Sequence, residues 1–547
     1  MSENMLALMA LVSPAVFVAM AIASWFQPGS NPKKVILMGK IATLSSILIC
    51  FLCSYYAIRI GLVESALLGI NEIGFSIRLD SLSLLMLGMI ALIAFIVIKF
   101  SGNYLDGDKR QGIFLGRLGA TIASVQLLVL SGNIGLLFFA WVLTSMSLHR
   151  LLLFYRERPG AQIAAKKKFI LARLGDACLL IAVGLLYYEV GSGNLEAIFS
   201  YLKNQVALDG TLLPVEFAAW FLALAAILKS AQFPTHGWLI EVMETPTPVS
   251  ALLHAGLLNA GPFLIIRMAY VMEASTFAPM FLMALGGFTA LFASVAYLTQ
   301  TSVKTALGYS SVGHMGFSLM ICGLGVYPAA MLHLVAHSFY KAHAFLSSGS
   351  VIDVIRASKV TYTAGKVSPM GLIAGILMAL LMYAGFAILW GISPTNQLSL
   401  LFIGAVIVLG LSRIFTAALA GEWKPKLIVR AVLLGLMVTL SFFVLESGTH
   451  YLLGSQAPDL TQPSAGKIGL MGILLVGFAF VVFVQNYAGK LAGSTRFHAL
   501  AIHFRNGFYA NAWFDRFVNA LHIPSSKGSD LDSVRLSLVK QERSKSQ

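Results

Sequence analysis

The chain has 547 residues, of which 58% are hydrophobic and only 11% charged, with a mean hydropathy of +0.82. A soluble domain carries about 25% charged residues, so the composition excludes an ordinary water-soluble protein and makes a bilayer the main solvent. The formal net charge of +15 would suit nucleic acid, but its distribution excludes that reading.

Hydrophobic runs of about 18 residues or more begin near Met5, Val35, Ser81, Gly112, Asn133, Phe169, Pro214, Thr245, Ala278, Val303, Tyr327, Pro369, Leu398, Ala431 and Gly466. They predict an all-α polytopic membrane protein with about fifteen transmembrane helices. The first run lacks a basic flank and a cleavage site, so it reads as a retained span. Cys50, Cys53, Cys178 and Cys322 all sit inside apolar runs and read as small hydrophobes, the Cys50-x-x-Cys53 pair included. Basic clusters fall between runs: Lys33-Lys34, Lys109-Arg110 with Arg117, Arg156/Arg158 with Lys166-Lys167-Lys168, Arg356/Lys359/Lys366, and Lys424/Lys426/Arg430. With fifteen spans and the N-terminus outside, every one of these lies in the cytoplasm, together with the C-terminus. The alternating loops near Ser131, Glu273, Gly325 and Ile392 carry almost no Lys or Arg. That is the positive-inside pattern of a multi-pass inner-membrane protein, so the charge is topological.

No Rossmann fingerprint, Walker motif or cysteine set for an iron–sulfur cluster is present, which excludes an ATPase or a redox subunit. Two Pro-containing segments read as helix interruptions: Lys229-Ser-Ala-Gln-Phe-Pro-Thr-His-Gly-Trp238 and Gly391-Ile-Ser-Pro394. Broken helices in transporters expose carbonyls that hold water or a cation. Residues 1–490 are thus the membrane domain. Residues 491–523 mix aromatics with Arg505, Asp515 and Arg516, and suit the membrane interface or a cytoplasmic partner. From Pro524 to the end the composition is that of a disordered tail.

Function is carried by ionisable residues inside apolar sequence, which usually mark an ion or proton path. They are Lys229, His254, and the row His333, His337, Lys341. Spaced four apart on a helix, the last three form a row drifting by about 40° per step. Imidazole accepts on one nitrogen while donating from the other, as a proton wire requires. Lys229 has no sequence-local acid; Asp176, paired at i,i+3 with Arg173, is the candidate neighbour. His498 and His503 lack a cysteine partner, and no zinc site is expected in this chain.

The segments Lys229-Ser-Ala-Gln-Phe-Pro-x-His-x-Trp238 and Met243-Glu-x-Pro-Thr-Pro-Val-Ser-Ala-Leu-x-His-Ala255 resemble the signature of the antiporter-like proton-conducting subunits of respiratory complex I and Mrp antiporters. Leu79-Asp-Ser-Leu-Ser-Leu84, Lys304-x-x-Leu-x-Tyr-Ser-Ser311, His333-Leu-x-x-His-Ser-Phe-x-Lys341 and Leu346-Ser-Ser-Gly-Ser-Val351 continue the pattern from Leu79 to Ile352. The resemblance implies two inverted five-helix repeats, each with a broken helix. By position it makes Lys229 the central lysine of one half-channel, and His254 with the His333/His337/Lys341 row its connection to the other.

Departures refine this. Phe138-Phe-Ala-Trp-Val-Leu-Thr-Ser-Met-Ser-Leu-His-Arg150 places Val142 where complex I subunits have a glutamate that pairs with the lysine. The segment Pro369–Pro394 has no lysine or glutamate at the second break, and the tail is short for their lateral helix. With Ser147-Leu-His-Arg-Leu151 and Arg505-Asn-Gly-Phe-Tyr-Ala-Asn-Ala-Trp-Phe-Asp515, the chain resembles the DabB membrane subunit of DAB-type inorganic-carbon transporters. That resemblance implies a transporter subunit that is not itself an enzyme. It conducts H⁺ or Na⁺ and drives CO₂ hydration to bicarbonate on a large cytoplasmic zinc partner, a β-carbonic-anhydrase-like DabA subunit. It further implies that Arg173/Asp176 shape the field around Lys229 and that His149 with Arg150 replaces the missing acid. Arg505, Phe508, Tyr509, Trp513, Phe514 and Arg516 would dock the partner. The alternatives are a proton-pumping subunit of a complex I-like dehydrogenase or multisubunit antiporter, and a non-conducting membrane scaffold.

Overall fold

The computed structural model describes residues 3–206, 212–349, 368–393, 397–420, 425–454, 456–491 and 493–520. The expected tail from Pro524, the Arg356/Lys359/Lys366 cluster, Lys424 and Pro394 lie outside them. Helices dominate, and among the described residues twelve are long and apolar enough to cross a membrane, where the sequence led us to expect about fifteen. Leu213–Lys229 falls outside that set at 17 residues. Val303–Gly323 and Tyr327–Ser347 fall outside it too, each 21 residues long but carrying the histidines and serines of the candidate path.

The outside of the bundle is apolar: Trp25, Leu381, Ile388 and Val476 are 71–79% exposed. A soluble monomer rarely exposes a continuous apolar band of this kind; here it faces lipid, with backbone groups satisfied inside each helix.

Caps set several helix starts. Asp80 accepts from the Ser83 amide (2.8 Å) at the start of Ser81–Tyr104, and Asn133 accepts from the Gly135 amide (2.9 Å) ahead of Ile134–Leu152. Proline in the first turn opens Leu213–Lys229, Ala278–Leu298 and Pro369–Leu389. The loops at one end are basic and bonded to each other. The Gly112 amide donates to the Gly29 carbonyl (3.1 Å), Arg110 reaches Glu157 (3.0 Å), and the Tyr155 hydroxyl donates to Asp108 (2.8 Å).

The opposite end holds four short strands, Val63–Glu64 with Arg78–Leu79 and Leu68–Ile70 with Ile73–Phe75, both pairs antiparallel. Arg78 there is buried and paired with Glu64, Asp80 and Glu196 at 2.7–2.8 Å. Asp80 also receives Arg267, at the end of the helix Ala260–Arg267.

Only one of the two expected interruptions is a break within a span. Around Gly391 the chain turns between two separate helices that pack on each other, Pro369–Leu389 and Leu398–Leu419, with Gly391 at φ +67°. A break that sequence inspection missed lies elsewhere: Thr247–Ala255 and Ala260–Arg267 are separated by Gly256 and the 3-10 turn Leu257–Asn259.

Candidate ion pathway

The helix Leu213–Lys229 stops at its lysine, and helical geometry resumes only at Gly237–Glu241. Ala231 takes φ +52°, and Pro234 lacks an amide hydrogen to continue the ladder. The freed groups find partners in neighbouring helices. The Ser230 hydroxyl donates to the Leu258 carbonyl (3.2 Å) and the Phe233 amide donates to Thr289 Oγ1 (3.3 Å). An interruption inside a bilayer is tolerated on these terms.

Lys229 meets the helix Ile134–Leu152. Its Nζ donates to Ser145 Oγ (2.6 Å) and to the Trp141 carbonyl (3.2 Å), and it stands 4.1 Å from the Trp141 ring centre. Hydroxyl, carbonyl and π-face therefore occupy the place where a carboxylate would pair with this lysine. The helix Pro159–Val190 packs alongside, with Arg173 on Asp176 at 2.6 Å. Its buried Lys168 donates to the Ser145 carbonyl (2.9 Å). Three cations thus surround one carboxylate, and neither Asp176 oxygen nor Trp141 Nε1 finds a well-aligned protein hydrogen bond. His149 packs against Phe169, the rings tilted and 5.1 Å between centres. Ser145, one turn before His149, is the residue of this helix whose side chain bonds Lys229.

The second half is built from histidines and Lys341. His254 is fully buried against Phe345, the rings 4.2 Å apart and nearly parallel, and neither ring nitrogen has a protein partner. The same holds for the nitrogens of buried His337. His333 Nε2 lies 3.3 Å from Nδ1 of His314, whose ring also sits 4.8 Å from that of His337. Lys341 is buried and donates to the Leu307 carbonyl (3.1 Å). A cavity of about 260 Å³, lined by Ser294, Tyr309, Ser310, His314, His333 and Gln485, opens onto the histidine pair.

The missed break joins the two halves. The Leu258 carbonyl that receives Ser230 is next to Asn259, whose amide donates to Ser338 Oγ (2.7 Å), beside His337. Two hydrogen bonds, Ser230 to Leu258 and Asn259 to Ser338, thus lie between Lys229 and the helix that carries His333, His337 and Lys341. Sequence inspection missed Ser145, Lys168 and His314. His314 met the criterion that found the others, an ionisable group in an apolar run.

The tail folds back on the chain as Thr495–Arg505 and Ala510–Ala520 around a turn at 507–509. Gly507 has φ +60°, and a Cβ there would come within 3.1–3.2 Å of the Tyr309 hydroxyl and His236 Nε2, so the turn needs glycine. Phe508 packs on Phe292 and Phe504, Arg505 donates to Thr301 (3.2 Å), and Phe514 is partly buried against the core. Tyr509 and Trp513 stay exposed, the latter with Arg516 near its ring (6.0 Å). Among the described residues no group of three or more His, Cys, Asp or Glu is placed to hold a metal ion.

Residues 131–388 match the family model described as NADH:quinone oxidoreductase/Mrp antiporter, TM, and residues 68–115 match complex I chain 5 N-terminus. The probable inorganic carbon transporter subunit DabB2 of Halothiobacillus neapolitanus is 36% identical over 452 residues, 82% of this chain and 81% of that protein. NADH-quinone oxidoreductase subunit L of Pseudomonas aeruginosa is 30% identical over 467 residues, 78% of this chain and 75% of its own. The solved Mrp complex of Dietzia sp. DQ12-45-1b superposes with a TM-score of 0.60 at 21% identity, over 97% of this chain and 62% of that one, a likeness of fold. These relatives are transporter or antiporter-like membrane subunits. The chain is a multi-pass transporter subunit, and it belongs to the DabB-type inorganic carbon transporter subunits of the antiporter-like family.

Proposed function

We propose that this chain conducts H⁺ or Na⁺ across the inner membrane as one subunit of an inorganic-carbon uptake complex, its basic end in the cytoplasm. The observation that carries the reading is the pair of hydrogen bonds, Ser230 to Leu258 and Asn259 to Ser338, that lies between Lys229 and the helix of the His333/His337/Lys341 row. Buried ionisable groups in an apolar bundle are costly and persist where they move charge. Lys229 is the gating cation, held by Ser145 and Trp141, with Asp176 and Arg173 shaping its field. His254, His333, His337 and Lys341 relay charge, with His314 added to the row. The flux drives hydration of CO₂ to bicarbonate and a proton on a cytoplasmic zinc subunit resembling a β-carbonic anhydrase, which this chain's tail docks through Tyr509, Trp513 and Arg516. Zinc belongs to that partner.

The test is growth at air levels of CO₂ with Lys229→Ala, alongside copurification in mild detergent. Loss of growth with intact assembly and a stoichiometric zinc partner is expected. Unimpaired growth removes Lys229 from the mechanism. The second reading, a subunit of a complex I-like dehydrogenase, has the likeness to subunit L in its favour. Recovery with quinone-oxidoreductase subunits and no zinc partner would establish it instead.

A further inference from the structure

Lys167 and Lys168 are neighbours in the helix Pro159–Val190, and both are buried despite their charge, at 0% and 5% exposure. A charged lysine persists away from water only where acceptors hold it, and each has its own set. Lys167 Nζ donates to Glu241 (2.6 Å), to Asn511 Oδ1 (2.9 Å) and to the Asp515 carboxylate. Asn511 closes the cluster by donating to Glu241 (2.6 Å). Asn511 and Asp515 lie on the tail helix, whereas Glu241 ends the short helix that follows the break at Lys229. Gly237, in that same short helix, has no room for a Cβ because Asn511 fills the space. Adjacent residues on a helix point about 100° apart, so Lys168 faces elsewhere. Its Nζ donates to the Ser145 carbonyl, and the Ser145 hydroxyl accepts from Lys229.

From these contacts we infer that Lys167 and Lys168 are positioning residues that link the tail helix to the Lys229 contact, so that tension on the tail resets the hold of Ser145 on Lys229. One face of the tail helix is pinned to Lys167 and Glu241 while Trp513 and Phe517 stay exposed, so a load applied outside reaches a buried ion network. The link passes from Asp515 and Asn511 to Lys167, along one peptide unit to Lys168, and on to Ser145. Glu241 gives the tail a second hold, on the segment after the break. The inference rests on the proposed role of Lys229 only for its consequence in transport; the mechanical link stands on geometry.

The test is amide hydrogen exchange on the full-length chain in nanodiscs, comparing the parent, Asp515→Asn, Lys168→Met and the double variant, with ion uptake into liposomes followed against pH in parallel. Asp515→Asn is expected to speed exchange about tenfold in the tail and after the break, and also around Ser145. In the Lys168→Met background the response around Ser145 disappears while that in the tail remains. A merely structural salt bridge would loosen the tail alone, or act equally in both backgrounds, and either result overturns the link. Asn511→Ala supplies a milder release of the tail should Asp515→Asn fail to yield folded protein. In liposomes, Asp515→Asn is expected to move the pH profile of uptake, and Lys168→Met to abolish that movement. Absence of uptake by the parent chain would count against ion conduction, whereas an exchange response confined to the tail would count against the link.

Discussion

Two buried polar clusters in this molecule differ in how completely they are paired. Asp80, at the strand-bearing end, has both oxygens bonded. Oδ2 receives Arg78 (2.8 Å) and Arg267 (2.5 Å), and Oδ1 receives the Ser83 amide (2.8 Å) and Arg267 (3.2 Å). Around Lys229 and the histidines the reverse holds: three cations share one carboxylate, and the ring nitrogens of His254 and His337 meet no protein partner. Fully paired charges lock helices together, whereas spare hydrogen-bonding capacity is what a moving proton or a hydrated ion uses. The first cluster has the pairing of a fixed frame, and the second the spare capacity that a charge path needs.

The largest effect that would break this contrast is at the frame. Asp80→Ala takes away the carboxylate that Arg267 pairs with, while Arg78 keeps Glu64 and Glu196, and leaving a buried charge without its partner costs about 3–5 kcal/mol. Monodisperse protein should be nearly lost in size-exclusion chromatography, and a normal yield would show that the cluster is not structural. Next comes Lys229→Ala, which is expected to bring ion uptake to background while the unfolding temperature stays close to that of the parent chain. Ser145→Ala removes one charge-assisted hydrogen bond of about 1.5–3 kcal/mol. Uptake should fall by roughly one to two orders of magnitude, and an unchanged rate would take Ser145 out of the gate. His314→Phe sharpens the same point in the other half, since it deletes the contact to His333 without adding charge; slowed uptake in an intact protein is expected.

The smallest effect concerns pH. Burial alone would raise the Asp80 carboxyl, but Arg267 and Arg78 outweigh it and hold the group well below the usual carboxylate range. A depressed carboxyl contributes stability above its unfolded value of about 3.9, and that contribution is lost only as pH falls through the folded value. Between pH 5 and 8 the Asp80 contribution should therefore stay flat, so the loss of stability caused by Asp80→Asn should be the same at both ends of that window. A loss that changes across it would contradict the assignment.

How much of this was legible in the sequence follows from what kind of signal each residue carries. Lys229 and the His333/His337/Lys341 row stood out because charge inside apolar sequence is rare. Ser145 did not, since a hydroxyl in a membrane helix ordinarily bonds its own backbone, as Thr144 does to the Ala140 carbonyl (2.7 Å). Lys167 and Lys168 were absorbed into a basic loop. Their orientation depends on a helix that starts at Pro159 and on a tail more than three hundred residues away. The break at Gly256 carried the breaker residues Gly256, Asn259, Gly261 and Pro262, yet the apolar residues among them read as one continuous span. At Gly391 the same kind of signal marked only a turn between helices. Local chemistry identifies the groups; which of them meet is decided by packing between distant helices.

The central claim is that charge crosses the membrane through Lys229 and the histidine row. Its most direct test is ion uptake into liposomes that contain the intact chain, with an imposed H⁺ or Na⁺ gradient, comparing the parent with Lys229→Ala. The account predicts uptake for the parent and background for the variant, with both proteins equally folded. Equal uptake by the two, or none by either in the presence of the partner subunit, would contradict it.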